Sequence, residues 1–154
     1  MAIWIVASSS ANAKPLFVSI VRDLGIQHQY TGGWEHFVGG GVATFDCNGD
    51  LLPELYIAGG ESPAALLLNN SVRGNDILYT EATPETLALT GVIGAYPLDV
   101  DADGIQDLFI LRVGANQLLK GGADCSFAQF DAIGFEGGDR WTTAFSATWE
   151  GENS

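Results

Sequence analysis

The chain has 154 residues, 47% of them hydrophobic, and its mean hydropathy is slightly positive. This length and composition predict one folded domain with an apolar core and argue against a disordered segment. Because 6 lysines and arginines stand against 19 aspartates and glutamates, giving a net charge of −13, nucleic acid and anionic lipid are excluded as expected partners, whereas cations are favoured.

The first thirteen residues have the pattern of a secretory signal peptide. An apolar stretch from Ala2 to Ala7 is followed by small polar residues and by Ala11-Asn12-Ala13, an A-x-A cleavage pattern, although no basic residue precedes the stretch. Residues 1–13 therefore predict a secreted protein, extracellular or periplasmic, with an edge strand as the alternative for this segment. No apolar run reaches the 18 residues needed to span a membrane.

The rest of the chain contains two similar units. The segment 40–57 is similar to the segment 94–110, and the leading aspartates, Asp46 and Asp99, are 53 residues apart. Each unit has four short apolar segments separated by turn residues, which is the content of one blade of a β-propeller. The predicted fold is therefore all-β: a partial propeller with about two four-stranded antiparallel blades, at residues 38–90 and 91–140, plus fragments of flanking blades.

Shorter segments complete this pattern. The fourth strands of the two units are predicted at Ile77–Thr80 and Phe127–Phe130, and Phe17–Ile20 is predicted to be a lone fourth strand. Thr142–Trp149 is predicted to be the first strand of a third unit, 141–154. Because about two and a half blades cannot close a ring, the chain is interpreted as the N-terminal fragment of a longer protein.

The second unit carries an acidic loop with the spacing of a calcium site. Asp99, Asp101, Asp103 and Asp107 stand at positions 1, 3, 5 and 9 of the loop, and Gly104 at position 6 permits a sharp turn. Calcium takes six to eight oxygen ligands, and the carbonyl of Ile105 at position 7 is a further candidate. An ordinary acidic turn is the alternative, but four carboxylates so close together repel one another unless a cation is bound.

The first unit carries a related loop. Asp46, Asn48 and Asp50 hold positions 1, 3 and 5, Glu54 replaces aspartate at position 9, and the carbonyl of Leu52 is the neutral candidate. Leu51 stands where glycine is expected, which leaves a structural Asx-rich turn as the alternative. A third, degenerate loop is placed at Glu150, Glu152 and Ser154.

The segments after the two complete loops distinguish these sites from an EF-hand, in which a helix follows the calcium loop. Here the loops are followed by Leu55–Gly60 and Leu108–Leu111, which are short β-rich runs without helical spacing of apolar residues. Both loops are therefore predicted to connect strands.

These features resemble the FG-GAP/VCBS repeats, particularly the cartilage-acidic-protein (ASPIC/UnbV-type) branch. The resemblance rests on G-G-G-V-A-x-x-D-x-N-x-D-x-x-x-E-L-Y followed by L-x-x-N-N and an aromatic closing strand, and it extends roughly from Phe17 to Glu150. It implies integrin-α-like blades, an extracellular or periplasmic setting, and calcium in the inter-strand loops. The calcium positions that it implies are Asp46, Asn48, Asp50, Glu54, Asp99, Asp101, Asp103 and Asp107; Leu51, Glu54 and the third loop depart from the pattern.

The function expected from this resemblance is a calcium-binding extracellular propeller module for adhesion or for binding a protein or carbohydrate ligand, and not an enzyme. The alternatives are a non-catalytic scaffold within a larger secreted enzyme, and a propeller hydrolase or lyase. An enzyme would need a nucleophile with a base or a convergent acid–base pair. The candidates for such a role are His28 and His36, with Glu35 adjacent; a structural or solvent-exposed histidine is the favoured interpretation.

Two further groups of residues leave alternatives open. Cys47 and Cys125 can form a disulfide in an oxidising compartment or remain two small buried thiols. The aromatic residues Tyr30, Trp34, Trp141 and Trp149 can stack on a sugar ligand, or pack between blades, which is the favoured interpretation.

Overall fold

The structure is a computed structural model and describes residues 25–148. It contains nine strands and three short 3-10 helices within this range. In chain order they are η1 (Trp34–His36), β1 (Val42–Phe45), β2 (Glu54–Ile57), β3 (Ala65–Asn69), β4 (Tyr79–Glu81), β5 (Val92–Leu98), β6 (Asp107–Gly114), β7 (Gln117–Gly121), η2 (Ala123–Cys125), β8 (Phe127–Gln129), η3 (Asp131–Ile133) and β9 (Arg140–Trp141).

The strands form two antiparallel sheets, so the protein is all-β. The first sheet has the order β1-β2-β3-β4, and the second has the order β5-β6-β7-β8, with β9 pairing to the far end of β6. Apart from β9, each sheet is thus a meander in which neighbours in the chain are neighbours in space. Within residues 25–148 the two sheets form no closed barrel or propeller, and no helix of these residues has the length and hydrophobicity needed to cross a bilayer.

The two leading hairpins pair in the same register. In the first sheet the β1–β2 pairing ends with Phe45 opposite Glu54. In the second sheet the β5–β6 pairing ends with Leu98 opposite Asp107. The two acidic loops therefore begin and end at equivalent points of their hairpins, and both connect strands as the sequence predicted.

One hydrophobic core lies between the two sheets. In β1 exposed and buried residues alternate, so that Ala43 and Phe45 point inward, as expected for a strand with one buried face. Phe45 meets Phe127 of the second sheet edge to face, with ring centroids 6.1 Å apart. The core also contains Tyr56, Ala58, Leu66, Leu87, Val92, Leu108, Ile110, Leu119 and both cysteines.

At the end of the sheets away from the acidic loops, the turn after β2 joins the start of β5. The N–H of Gly60 donates to the carbonyl of Val92 at 2.9 Å, and the N–H of Thr31 donates to Gly59 at 3.0 Å. Gly60 has a φ of +65°, and a Cβ there would lie 2.0 Å from the carbonyl oxygen of Thr31. Only glycine adopts this positive φ readily and has no Cβ to clash with the Thr31 carbonyl. The close contact at Gly60 therefore fixes how the segment before β1 lies on the first sheet.

A disulfide joins the sheets near the acidic loops. Cys47, the second residue of the first loop, is bonded to Cys125 of η2 across 78 residues, and their Cα atoms are 4.8 Å apart. The N–H of Cys125 also donates to the carbonyl of Cys47 at 3.3 Å. Of the two alternatives left by the sequence, the structure has the disulfide.

The structure corrects the predicted strands at their ends. The fourth strands are β4 and β8, which differ by one or two residues from the predicted ranges. Residues 142–148 form no strand; instead Phe145 stacks on Phe109 of β6 with ring centroids 4.1 Å apart. This chain segment covers the outer face of the second sheet without pairing to it. The predicted signal peptide, the strand at Phe17–Ile20 and the third acidic loop lie outside the described residues.

Candidate metal centre

The second acidic loop brings three predicted calcium ligands together. One carboxylate oxygen from each of Asp99, Asp101 and Asp107 lies within 4.8 Å of the other two. Asp99 is positioned by the loop backbone, because its two oxygens accept the N–H groups of Asp103 at 3.1 Å and Gly104 at 2.9 Å. The first, third and ninth residues of the loop therefore lie close enough together for their carboxylates to share one cation.

Asp103, the fourth predicted acidic ligand, points to a different partner. Its Oδ1 accepts the N–H of Ile105 at 2.9 Å, and its Oδ2 accepts from Nζ of Lys120 at 2.6 Å. Lys120 also donates to Oδ2 of Asp101. These contacts with Lys120, followed by the N–H of Ile105, lower the pKa of Asp103. A cation supplied by β7 thus already balances part of the negative charge of this loop.

The ninth residue of each loop is a fully buried carboxylate held by backbone N–H groups. Oδ2 of Asp107 accepts the N–H of Val100 at 2.9 Å, and Oδ1 accepts the N–H of Gly121 at the end of β7 at 2.8 Å. Asp107 has no exposed surface. This side chain therefore connects the start of its loop to the third strand of its sheet.

Glu54 makes the equivalent connections in the first sheet. Its Oε2 accepts the N–H of Cys47 at 3.0 Å, and its Oε1 accepts the N–H of Asn69 at the end of β3 at 3.4 Å. Burial raises the pKa of Glu54, against the opposing effect of these N–H donors. The longer side chain of glutamate at position 9 is thus accommodated without losing either connection.

The other predicted ligands of the first loop are also held within the loop. Asp46 accepts the N–H groups of Gly49 at 2.7 Å and Leu51 at 2.9 Å. Burial acts to raise the pKa of Asp46, but these donors and further backbone N–H groups lower it overall. Oδ1 of Asp50 accepts the N–H of Leu52 at 2.7 Å. Asn48 donates through its side chain to Asp50 at 3.2 Å.

The irregular glycine positions of the two loops have a common explanation. Residues at positions 4 and 6 have positive φ in both loops: +79° for Gly49 and +65° for Leu51, and +58° for Ala102 and +86° for Gly104. Each loop therefore has glycine at one left-handed position and another residue at the other. Leu51 does not prevent the turn that the sequence pattern requires.

The second loop fits a hard divalent cation better than the first. Its clustered donors are carboxylate oxygens, the ligand type that calcium prefers, and a transition metal would be expected to select nitrogen or sulfur ligands as well. Cys47 and Cys125 lie near Glu54, but their sulfurs are joined in the disulfide and offer no thiolate. Occupation of the second loop would require Asp101 and Asp103 to exchange Lys120 for the ion.

The histidines and aromatic residues have environments that the sequence did not predict fully. Nε2 of His28 lies 2.9 Å from the carbonyl oxygen of Ala58, which only accepts hydrogen bonds, so His28 is a structural donor. His36 is buried, and neither ring nitrogen has a hydrogen-bond partner among the described residues.

Among the aromatic residues, Tyr30 packs against the core. Trp34 is 75% exposed and meets Trp141 edge to face at 5.1 Å, so this pair does not pack between the sheets.

Comparison of the chain with models of known protein families, with curated proteins and with solved structures found no match.

Proposed function

We propose that the chain is part of a calcium-binding β-propeller of the FG-GAP/VCBS type, and that it serves as an extracellular adhesion or ligand-binding module and not as an enzyme. The observation that carries this proposal is the shared construction of the two acidic loops. Both loops connect equivalent points of two successive hairpins and have left-handed residues at the same two positions. Each loop ends in a buried carboxylate, Glu54 or Asp107, that accepts a backbone N–H group of the third strand of its sheet.

The arrangement of the sheets supports the propeller part of the proposal. Two consecutive four-strand meanders share one hydrophobic core, and β-propellers are built from successive four-stranded sheets. The outer face of the second sheet is also apolar, since Phe109 there contacts Phe135 at 5.4 Å and Phe145 at 4.1 Å. In this chain the segment 142–148 already lies on that face, on the side where the next blade of a propeller would pack.

The proposed role of calcium is structural. A bound ion would neutralise the carboxylates gathered in the second loop. The carboxylate of Asp107 already joins this loop to β7 through Val100 and Gly121, so an ion held by Asp99, Asp101 and Asp107 would strengthen the link between the first and third strands. The fold would then be more stable in a calcium-rich medium, such as the extracellular space, than without the ion.

Two features support export and ligand binding. A disulfide such as Cys47–Cys125 persists in oxidising compartments. Trp34 and Trp141 form an exposed aromatic pair, with Phe37 nearby in the chain and 89% exposed. Exposed aromatic rings are common in protein and carbohydrate recognition because they bury large apolar faces.

Calcium titration by isothermal calorimetry, followed by thermal melting, tests the proposal. The melting temperature should rise with calcium and much less with magnesium. Magnesium requires a small, near-octahedral site and gives up its water ligands reluctantly, so a flexible loop of carboxylates binds it less well. The double variant Asp99→Asn with Asp101→Asn should lose the binding at the second loop, whereas Asp139→Asn, an exposed acid outside the loops, should retain it. Equal binding by both variants, or no binding by the unaltered chain, contradicts the proposal.

A further inference from the structure

A second group of possible metal ligands lies at the other end of the first sheet. Glu35 and His36 belong to η1, and Glu61 follows the turn after β2. One ligand atom from each of these three residues lies within 4.8 Å of the other two. Nδ1 of His36 and Oε1 of Glu35 are 3.9 Å apart. We call these three residues the His36 cluster.

Backbone hydrogen bonds hold the two parts of this cluster together. Thr31 accepts the N–H of Glu61 through its carbonyl at 3.0 Å and donates its own N–H to Gly59 at 3.0 Å. Its hydroxyl lies 2.7 Å from that of Ser62. The segment carrying His36 is therefore fixed to the turn carrying Glu61, and the cluster does not depend on chance contacts of long side chains.

The backbone also leaves room for the ring and for one carboxylate. A Cβ at Gly32 would lie 2.4 Å from Nδ1 of His36, and a Cβ at Gly33 would lie 2.9 Å from Oε2 of Glu35. The edge of the Tyr30 ring meets the His36 ring from another side, with centroids 6.4 Å apart. The imidazole of His36 is thus confined against Gly32 and the carboxylate of Glu35 against Gly33, and a larger residue at either position would displace a member of the cluster.

The state of His36 is the observation that points to a ligand. The residue is 5% exposed, and both ring nitrogens lack a hydrogen-bond partner among the described residues. Buried polar atoms without a partner are rare in folded proteins and destabilise them. A metal ion bound to one nitrogen would satisfy that atom and the two carboxylates beside it.

We propose that the His36 cluster binds Zn²⁺. An imidazole nitrogen with two carboxylate oxygens is a donor set for zinc and is unsuited to calcium, which takes oxygen ligands. Glu61 is exposed and Glu35 is partly exposed, so both side chains have the freedom to close on an ion held by His36. Three protein ligands leave the fourth position of a tetrahedral zinc site for water. Such an ion would join η1 to the turn after β2.

Zinc titration of the full chain in calcium-saturated buffer tests this proposal, because calcium then occupies the acidic loops. One equivalent of Zn²⁺ should bind, and the melting temperature should rise. Glu61→Gln and His36→Gln should each lower the affinity at least tenfold. His28→Gln is the matched control, since His28 is the only other histidine of the chain and its ring already bonds to Ala58; it should bind zinc as the unaltered chain does.

Substitution of cobalt for zinc supplies a readout that is independent of affinity. Co²⁺ in the cluster should give the visible absorption of a tetrahedral site, and Glu61→Gln should abolish it. Glu61 is exposed, so this variant is expected to fold even if His36→Gln does not. The proposal is overturned if the unaltered chain takes up no zinc, if Glu61→Gln and the unaltered chain bind it equally, or if His28→Gln alone loses it.

Discussion

Nζ of Lys120 lies 2.6 Å from Oδ2 of Asp103 and also donates to Asp101, two residues that the sequence assigns to a calcium site. The ammonium group also lies 5.0 Å from the centre of the Phe130 ring. The pKa of Lys120 is raised, first by its hydrogen bonds to these two carboxylates, so this side chain stays charged at neutral pH. Lys120 would therefore compete with the proposed calcium ion at the second loop.

Replacing Lys120 with methionine should increase the calcium affinity of the second loop about tenfold. The ion would no longer have to displace an ammonium group, and a divalent cation is repelled by a fixed positive charge at this distance. Calorimetric titration measures the change, and Lys120→Arg is the control because it keeps the charge. An unchanged affinity in Lys120→Met would show that Lys120 does not compete with the ion.

Leu51→Gly and Ala102→Gly should each stabilise the fold by about 0.5–1 kcal/mol. A left-handed conformation costs a residue with a Cβ roughly 1–2 kcal/mol, part of which is offset by the greater entropy of glycine in the unfolded chain. Leu51 is 72% exposed, so little packing is lost. Urea denaturation without calcium measures the difference.

The converse changes are the controls for these two variants. Gly49→Ala and Gly104→Ala should each destabilise the fold by about 1 kcal/mol. A Cβ at either glycine meets no atom within 4 Å, so the effect would come from the backbone conformation alone. Stabilisation by all four substitutions would contradict the shared left-handed geometry of the loops.

Asp107→Asn should destabilise the calcium-free protein by about 3 kcal/mol. The side chain is fully buried and accepts two backbone N–H groups, and hydrogen bonds to a charged acceptor are each worth roughly 1.5–3 kcal/mol. An asparagine amide would place N–H₂ against one of these donors. Urea denaturation is the measurement, and Asp139→Asn, which is exposed, should change stability by less than about 0.5 kcal/mol. Equal effects of the two substitutions would show that the two N–H contacts of Asp107 contribute little to the free energy of unfolding.

Removing the disulfide should lower the free energy of unfolding by about 4.5 kcal/mol, the chain-entropy value for a loop closed by residues 78 apart in sequence. The double variant Cys47→Ser with Cys125→Ser, compared with the oxidised chain under the same denaturant, measures this change. The same comparison in reducing agent should abolish the difference. A double variant as stable as the oxidised chain would mean that the bridge adds nothing to the fold.

The sequence predicted those features of the fold that depend on local pattern. The repeat of short apolar segments bounded by turn residues predicted the hairpin strands, and the spacing of Asp99, Asp101 and Asp107 predicted neighbouring carboxylates in a loop between two of them. Strand alternation and turn chemistry act over a few residues. They can be read from neighbouring positions in one sequence.

Contacts between distant parts of the chain could not be predicted in this way. Lys120 is 17 residues from Asp103, and Cys125 is 78 residues from Cys47. Neither the lysine nor the single pair of cysteines has a spacing that specifies its partner. The segment that carries His36 is likewise held on the turn after β2 by the hydrogen bonds of Thr31 with Gly59 and Glu61, which are distant from it in sequence.

The strand predicted at Thr142–Trp149 was not found in residues 142–148 for a related reason. Its apolar residues suggested pairing in a third sheet, but Phe145 instead stacks on the side chain of Phe109. An apolar residue can be buried by ring contact without backbone pairing. Composition alone does not distinguish these two outcomes.

The position of the disulfide also determines how the protein would respond to a protease. Arg73 lies in the exposed loop between β3 and β4, and both this loop and the whole of β5 fall between Cys47 and Cys125 in the chain. Trypsin cleavage after Arg73 would therefore leave the two fragments covalently attached. They would migrate as a single species in a non-reducing gel and separate only after treatment with a thiol.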